Sequence, residues 1–175
     1  EAEAPLLTAG VPLMQKAAFA LSLEIVKLLR ATGKVRGSRV LLLVGSGNNG
    51  GDALYAGAYL AKRGVGITAV LCGAQTHATG LAELQAAGGT AVPLAEANLA
   101  DLVGRSSVLV DGLLGIGSRG AVRGEVASAI TQVLSALAAV PAVARPRTVA
   151  VDIPSGIGVD DGEVPGPVIP ADLTV

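Results

Sequence analysis

The residues best suited to chemistry follow three separate apolar runs of the sequence. The segment GSGNNGGD at 45–52 comes directly after the apolar run Val40–Val44. Asp111 ends a second apolar run and Asp152 a third, and each precedes a loop that contains glycine and serine. A carboxylate in such a position can bind a cation, hold a ribose hydroxyl or transfer a proton. The three groups therefore predict one ligand site, provided that the fold brings them together.

The glycine-rich segment 45–52 indicates an anion site. We expect its glycines to take positive φ and to bring backbone amides close to a ligand. We expect a helix to start at Asp52 and to run from Ala53 to Arg63, so that the positive end of its dipole faces the same ligand. Phosphate is the anion that this arrangement favours.

The same segment contains Gly45-x-Gly47-x-x-Gly50, which is also the spacing of dinucleotide-binding dehydrogenases. That fingerprint requires an Asp or Glu about 20 residues further on, at the end of the second strand. The predicted second strand, 67–72, is followed by Gly-Ala-Gln and no carboxylate. The pattern favours a specialised nucleotide or phosphate loop over a hydride-transferring enzyme.

The candidate cation ligands offer only oxygen. Asn49, Asp111 and Ser155 together carry at most one formal charge, which suits a weakly held monovalent cation better than zinc. His77 is the only histidine, so neither a catalytic triad nor a metal centre is expected around it. Ser155 also lacks the Gly-x-Ser-x-Gly elbow of α/β-hydrolases, which disfavours hydrolase chemistry.

Strands that alternate with helices must position these residues. Periodicity predicts strands at 40–44, 67–72, 91–94, 107–111 and 148–152, and the start of another at 171–175. It predicts helices at 12–29, 53–63, 79–87 and 125–139, with a helical turn or two in 95–103. This order indicates one α/β domain with a mostly parallel sheet covered on both faces. Ligands of such sheets bind outside the carboxyl ends of the strands, where the three groups should meet.

Composition excludes several classes of protein. The 175 residues suit a single domain, and the one cysteine, Cys72, is expected in the core of a protein from a reducing compartment. A net charge of −1 with scattered basic residues argues against nucleic-acid binding. Neither an apolar run of membrane-spanning length nor a signal-peptide pattern is visible in these residues, so we expect a soluble, cytoplasmic protein with a small-molecule ligand.

Three ordered motifs resemble the YjeF N-terminal domain family: GSGNNGGD, VDGLLGIGSRG and VDIPSGIGVDDG. The resemblance runs from PLMQKAA in the first helix to ADLTV at the end of the chain. It implies a Rossmann-like three-layer α/β/α sandwich that is often a homodimer. It also implies an NAD(P)H-hydrate epimerase, an isomerase of metabolite repair that interconverts the R and S forms of hydrated NADH or NADPH.

The resemblance also implies roles for individual residues. Potassium would be coordinated by Asn49, Asp111 and Ser155. Proton transfer is expected of Asp111 first and Asp152 second. The hydrated dinucleotide would be bound by Asn48, Asn49, Gly50, Gly51, Asp52, Gly115, Ile116, Gly117, Ser118, Arg119, Gly120, Ala121 and Asp152. Two positions depart from the family pattern, because Ala53 replaces a glycine and Arg119 stands where several relatives carry lysine.

The alternative is a catalytically inactive nucleotide-binding or scaffold domain of the same fold, since some members of the family have lost the reaction. The retained NNGGD segment, Asp111 and Asp152 favour the enzyme. The resemblance further implies that an NAD(P)H-hydrate dehydratase is fused to the chain or is its partner. We expect residues 1–175 to form a single domain that stops short of its natural C-terminal end.

Overall fold

Strands and helices alternate through residues 13–115, 122–157 and 166–175, which are the parts of the chain that the computed structural model describes. The strands in these ranges are β1 (Arg39–Val44), β2 (Gly66–Leu71), β3 (Thr90–Pro93), β4 (Val108–Gly112), β5 (Arg147–Ala150) and β6 (Leu173–Thr174). The helices are α1 (Leu13–Thr32), α2 (Asn48–Ala61), α3 (Ala78–Ala86), α4 (Leu99–Gly104) and α5 (Gly124–Ala139). Short 3-10 turns occur at Leu94–Glu96 and Ala142–Ala144.

The strands form one parallel sheet in the order β3-β2-β1-β4-β5-β6. This is the doubly wound order, in which the chain moves outward from β1 in one direction and then from β4 in the other. The crevice at the carboxyl ends of β1 and β4 is therefore the expected ligand site of the fold. The predicted α/β class with a parallel sheet is confirmed.

Helices cover both faces of the sheet, and β1 shows why its sequence is continuously apolar. Its side chains alternate between two buried clusters, so that Val40, Leu42 and Val44 pack with α1, α2 and α3. Leu41 and Leu43 pack on the opposite face with α4 and α5. A strand buried on both faces has no polar side to present, which explains the unbroken apolar run.

The predicted start of the second helix is wrong by four residues, because α2 begins at Asn48 and not at Asp52. The expected backbone conformation is also wrong. Gly45, Gly47, Gly50 and Gly51 are absent from the glycines with positive φ in the described ranges. At Gly45, Gly50 and Gly51 the missing side chain matters for close packing and not for a left-handed turn, whereas a Cβ at Gly47 would meet nothing within 4 Å.

The end of β5 also differs from its prediction. The strand stops at Ala150, because Asp152 takes a φ of 70° that no extended strand can continue through. Cys72 lies buried just after β2, as expected for a core thiol. No helix in the described part of the chain has the length and apolar character needed to cross a bilayer.

Candidate active site at the carboxyl ends of β1, β4 and β5

Asp111 is completely buried near the end of β4, and backbone and hydroxyl donors surround its carboxyl group. Its Oδ2 accepts a hydrogen bond from Ser155 N at 2.8 Å. Its Oδ1 accepts from Ser155 Oγ at 2.6 Å and from Leu113 N at 3.3 Å. Burial raises the pKa of Asp111 above its ordinary value, while the three hydrogen bonds act in the opposite direction. The Asp111 carboxyl group therefore connects the loop after β5 to the end of β4 through hydrogen bonds.

Asn49 connects α2 to the loops that follow β4 and β5. Its Nδ2 donates to Leu114 O at 3.1 Å and to Val151 O at 2.7 Å. Gly115 lies so close to this amide that a Cβ at that position would be 2.7 Å from Nδ2. A larger residue at 115 would therefore push the amide away from its two carbonyl partners.

The ends of β4 and β5 also meet through the backbone, because Val151 N donates to Asp111 O at 2.9 Å. Asp152 is the next residue, so both aspartates lie at the same edge of the sheet. The predicted meeting of the glycine-rich segment with Asp111 and the Asp152 loop is therefore confirmed by geometry. The two aspartates are not equivalent, however, because Asp111 is buried within β4, whereas Asp152 is exposed to solvent after the end of β5.

In the described part of the chain, the first backbone N–H groups of α2 have no acceptor within the helix. The N-cap residue, Gly47, has no side chain that could cap the helix. The first helical hydrogen bond is that of Gly51 N, which donates to Gly47 O at 3.3 Å. The N–H groups of Asn48, Asn49 and Gly50 precede it, at positions that have no acceptor within a helix. Together with the helix dipole they form a binding site for a negatively charged group.

Glycines allow α2 to lie directly against the ends of β1 and β4. Gly45 N donates to Gly112 O at 3.1 Å. A Cβ on Gly112 would lie 2.9 Å from the Ala53 Cβ and 3.0 Å from Asn49 O, so any side chain there would force the helix outward. Ala53, one of the two departures from the family pattern, is itself buried in this contact.

Asp52 is partly buried on α2. Within the described residues its Oδ1 is buried and has no hydrogen-bond partner. Burial, and then the charge of Asp152, raise the pKa of Asp52 to about 6. Sequence reasoning included Asp52 among the ligand-binding residues but missed this property, which depends on packing.

The oxygen atoms of Asn49, Asp111 and Ser155 fit a monovalent cation in their chemistry. Ser155 Oγ donates to Asp111, and Asn49 and Ser155 both bond to the backbone of Leu114. The described residues contain no cluster of three or more His, Cys, Asp or Glu side chains that would hold a metal ion. Asn49, Asp111 and Ser155 offer two neutral oxygen groups and a single carboxylate, which is a set of ligands that a weakly held cation can use.

Sequence reasoning missed two further contributors. The backbone carbonyls of Leu114 and Val151 both accept hydrogen bonds from Asn49, and no residue type in the sequence indicates that role. His77 is the N-cap of α3, where its Nδ1 accepts a hydrogen bond from Gly80 N at 3.0 Å. The centroid of its ring lies 5.5 Å from that of Tyr55, in an edge-to-face arrangement.

Six predicted ligand-binding residues lie outside the described residues: Ile116, Gly117, Ser118, Arg119, Gly120 and Ala121.

A large open cavity of about 930 Å³ lies at the other end of the sheet. Its lining includes Ser107, Arg147 and Asp172, which are at or next to the amino ends of β4, β5 and β6. Arg147 and Asp172 already form an ion pair there at 2.8 Å. The contacts among Asn49, Asp111 and Ser155 lie at the opposite, carboxyl edge of the sheet, so this cavity is separate from them.

Comparisons with known proteins bear on the family of the chain. The model of the family described as YjeF-related protein N-terminus matches residues 11–175. The NAD(P)H-hydrate epimerase of Clavibacter michiganensis is 44% identical over 180 residues, which cover 99% of this chain and 74% of that protein. The bifunctional NAD(P)H-hydrate repair enzyme Nnr of Mycobacterium tuberculosis is 46% identical over 179 residues. The match covers 99% of this chain but only 34% of that longer enzyme.

A solved structure shares the fold. The crystal structure of the yeast protein ynu0 (YNL200c) superposes with a TM-score of 0.79. The match covers 93% of this chain and 68% of the yeast chain at 21% sequence identity. At that identity the similarity shows a common fold, and the reaction has to be argued from the residues of the site.

Proposed function

The chain belongs to the family of YjeF-related protein N-termini, and from this premise we propose that it is an NAD(P)H-hydrate epimerase, an isomerase that interconverts the R and S forms of hydrated NADH and NADPH. Relatives that are 44% and 42% identical over nearly the whole chain carry that name. The main structural support for the proposal is the position of Asn49. Asn49 joins the start of α2 to the loops after Asp111 and before Asp152, so an anion-binding helix end and two carboxyl groups share one crevice.

The proposed binding site for the hydrated dinucleotide starts at the free N–H groups of α2. Backbone donors beside a positive helix end suit its phosphates or its carboxamide. The proposal includes the family-implied residues Asn48, Asn49, Gly50, Gly51, Asp52, Gly115 and Asp152, and it extends to 116–121, which lie outside the described residues.

Potassium is proposed to bind at Asn49, Asp111 and Ser155. Their chemistry supports this, since they offer amide, carboxylate and hydroxyl oxygens with one formal charge. When bound, the cation would supply positive charge that keeps Asp111 ionised despite its burial. Ser155 and Leu113 perform part of this task without it, through their hydrogen bonds to the Asp111 carboxylate.

The reaction needs a proton donor, a negative environment and access for water. In the hydrated coenzyme a hydroxyl group sits on a carbon next to the ring nitrogen. Protonating that hydroxyl lets it leave as water, while the nitrogen lone pair forms a double bond and gives a ring cation. Water that adds to the opposite face, with loss of a proton, gives the other epimer. Nearby carboxylates stabilise the cation and transfer the protons.

Asp111 and Asp152 are the carboxyl groups that we propose for proton transfer. Asp152 is exposed to solvent, which suits a group that exchanges protons with a substrate and water. Asp111 is shielded by Ser155 and would need that hydroxyl to move first. Replacing either with asparagine keeps its size and removes its ability to exchange a proton.

The direct test is epimerisation of purified hydrated NADH by the purified protein. We expect one epimer to be converted to the equilibrium mixture much faster than in buffer, with Asp111→Asn reducing kcat about 100-fold or more. Normal epimerisation by Asp111→Asn would show that Asp111 does not transfer the proton. An inactive wild-type protein that still binds the dinucleotide would favour the scaffold alternative.

Two associations complete the proposal. Relatives named bifunctional repair enzymes are longer than this chain, which supports a dehydratase acting on the same coenzyme, either fused or separate. We also propose a homodimer in the cytoplasm, on the strength of the family resemblance. Sedimentation at several protein concentrations would test the oligomeric state.

A further inference from the structure

Asp52 lies on the same side of α2 as the amide that organises the crevice. Asn49 and Asp52 are three residues apart on the helix, so their side chains are neighbours on its surface. Asn49 donates to Val151 O at 2.7 Å, and the next residue is Asp152. The helix therefore presents Asp52 toward the segment that carries Asp152.

The environment of Asp52 disfavours a permanent negative charge. In the described part of the chain its Oδ1 is buried without any donor, whereas the oxygens of Asp111 accept three hydrogen bonds. A buried carboxylate oxygen without a donor costs more than a neutral carboxylic acid would. The pKa of about 6 agrees with that cost.

Asp152 is the charged group that acts on Asp52. Other ionisable groups on α2 and the elements packed against it include Tyr55 and His77, which contact each other, Asp111 on β4, and the exposed Lys16 on α1. Asp152 is also held in an unusual conformation. It has the only positive φ of any non-glycine residue in the described ranges, and its N–H donates to Val175 O at 2.8 Å. Strain of this kind is concentrated at functional positions.

We propose that Asp52 and Asp152 act as an acid and base pair, in which Asp52 donates the proton to the departing hydroxyl and Asp152 accepts one from the returning water. This inference rests on the proposed epimerase function and gives Asp52, in place of Asp111, the role of proton donor. Its strongest support is the contrast between two neighbouring carboxyl groups, one with an oxygen buried without a donor and the other exposed to solvent.

The proton balance of the pair closes without any other reactant. The O–H bond of Asp52 breaks as the carbon–oxygen bond of the hydrated ring breaks, which releases water and leaves an Asp52 carboxylate beside the ring cation. Water then bonds to the ring carbon from the other face, and its proton passes to Asp152. Transfer of that proton from Asp152 to Asp52, through solvent in the crevice, restores the starting state. Nothing is oxidised or reduced.

The first test compares the epimerisation kinetics of Asp52→Asn and Asp101→Asn with those of the wild type, after subtraction of the rate in buffer. Asp101 is an exposed carboxyl on α4 paired with Arg105, so it serves as a matched control. We expect Asp52→Asn to lower kcat about 100-fold or more with KM within about threefold, since acid–base groups contribute 10²–10⁴-fold. Asp52→Glu should regain part of the rate, and thermal melting should confirm that each variant folds.

The second test needs no turnover. Carboxyl ¹³C NMR of the aspartates should reveal a group that titrates near pH 6, as expected from the pKa of Asp52. That titration should vanish in Asp52→Asn and move to lower pH in Asp152→Asn, because removing the like charge makes ionisation easier. Asp101→Asn should leave it unchanged.

The outcomes separate the two ideas. Wild-type epimerisation together with a normal kcat in Asp52→Asn would overturn the pair and leave the epimerase function intact. A wild-type protein that binds hydrated NADH without epimerising it would overturn both. An unchanged Asp52 titration in Asp152→Asn would also contradict the pair, whatever the kinetics.

Discussion

At the scale of single residues, the Ser155 hydroxyl makes two contacts that a smaller side chain cannot replace. It donates to Asp111 Oδ1 at 2.6 Å and accepts from Leu114 N at 2.9 Å. We expect Ser155→Ala to lower the free energy of unfolding by about 1–3 kcal/mol, because a buried carboxyl and a backbone N–H each lose a partner. The pKa of Asp111 should rise further, since this hydroxyl acts to lower it.

Urea denaturation would measure the effect of Ser155→Ala. The control is Ser135→Ala, which removes an exposed hydroxyl that bonds to Thr131 O on α5. Its effect should stay within about 0.5 kcal/mol, as is usual for surface substitutions. Equal losses in the two variants would mean that the Asp111 contacts contribute nothing beyond those of an ordinary serine.

The raised pKa of Asp52 makes stability depend on pH in a defined direction. The folded protein holds this proton up to about pH 6, whereas the unfolded chain releases it near 3.8. The contribution to stability is therefore complete below pH 3.8 and is lost as pH rises through about 6. Its size is on the order of 1 kcal/mol once solvent screening of this partly exposed group is allowed for.

Asparagine at position 52 mimics the uncharged carboxyl and should remove that dependence. We expect Asp52→Asn to match the wild type near about pH 4 and to be the more stable protein above about pH 7. Chemical denaturation across this range would measure both curves. A wild-type advantage that grows with pH would contradict the proposed environment of Asp52.

Residue types alone predicted Asn49, Asp111 and Ser155 as a set of oxygen ligands, and geometry brings them together. The special state of Asp52 was not predictable in the same way. Asp52 and Asp111 look alike in the sequence, and only the packing decides which receives hydrogen-bond donors. The carbonyls of Leu114 and Val151 were equally hidden, since every residue has a carbonyl and only its direction matters.

At the scale of elements, the approach of α2 to the sheet depends on Gly112. An alanine Cβ at this position would lie 2.9 Å from the Ala53 Cβ and 3.0 Å from the backbone O of Asn49. We expect Gly112→Ala to destabilise the protein by about 1–3 kcal/mol, as overpacking does, and to lower epimerisation by displacing Asn49. Thermal melting and the activity assay would measure the two effects.

Gly104 provides the matched control, because it ends α4 and nothing lies within 4 Å of a Cβ placed there. Gly104→Ala should leave activity unchanged and stability equal or slightly higher, since alanine favours the helix and restricts the unfolded chain. If Gly112→Ala behaved like Gly104→Ala, the close approach of α2 to β4 would not be needed for the site.

The start of α2 shows where sequence patterns stop being informative. Asn and Gly have weak helix propensity, so Asn48-Asn49-Gly50-Gly51 is typical of a turn. The helix nevertheless includes them, because the glycines fit against the sheet and Asn49 finds partners on two other loops. Tertiary contacts overrode local preference at the position that the site requires.

At the scale of the whole molecule, the two ends of the sheet should respond differently to ligand. We expect hydrated NADH to slow amide hydrogen exchange at 45–52, 111–115 and 151–157, which surround the crevice. The cavity at the amino ends, lined by 142–148 among others, should show no protection. Protection there in place of the crevice would contradict the site.

The class of fold and most of its elements were predictable from periodicity, and the strand order was not. Alternating strands and helices indicated a parallel sheet, but the neighbours β1 and β4 are separated along the chain by two strands and three α-helices. Their pairing depends on which apolar faces pack best together. The crevice is a product of that pairing, so its position could be expected only from the general behaviour of doubly wound sheets.

The span of the bonds around Asn49 also bears on how the protein is made. Asn49 bonds to Val151 across 102 positions, and Asp111 bonds to Ser155 across 44. A ribosome delivers β1 and its helix long before β5, so the nascent chain carries the glycine-rich segment without its partners. The crevice can therefore form only after β5 and the loop that follows it have been made, and a polypeptide released before that point would lack it.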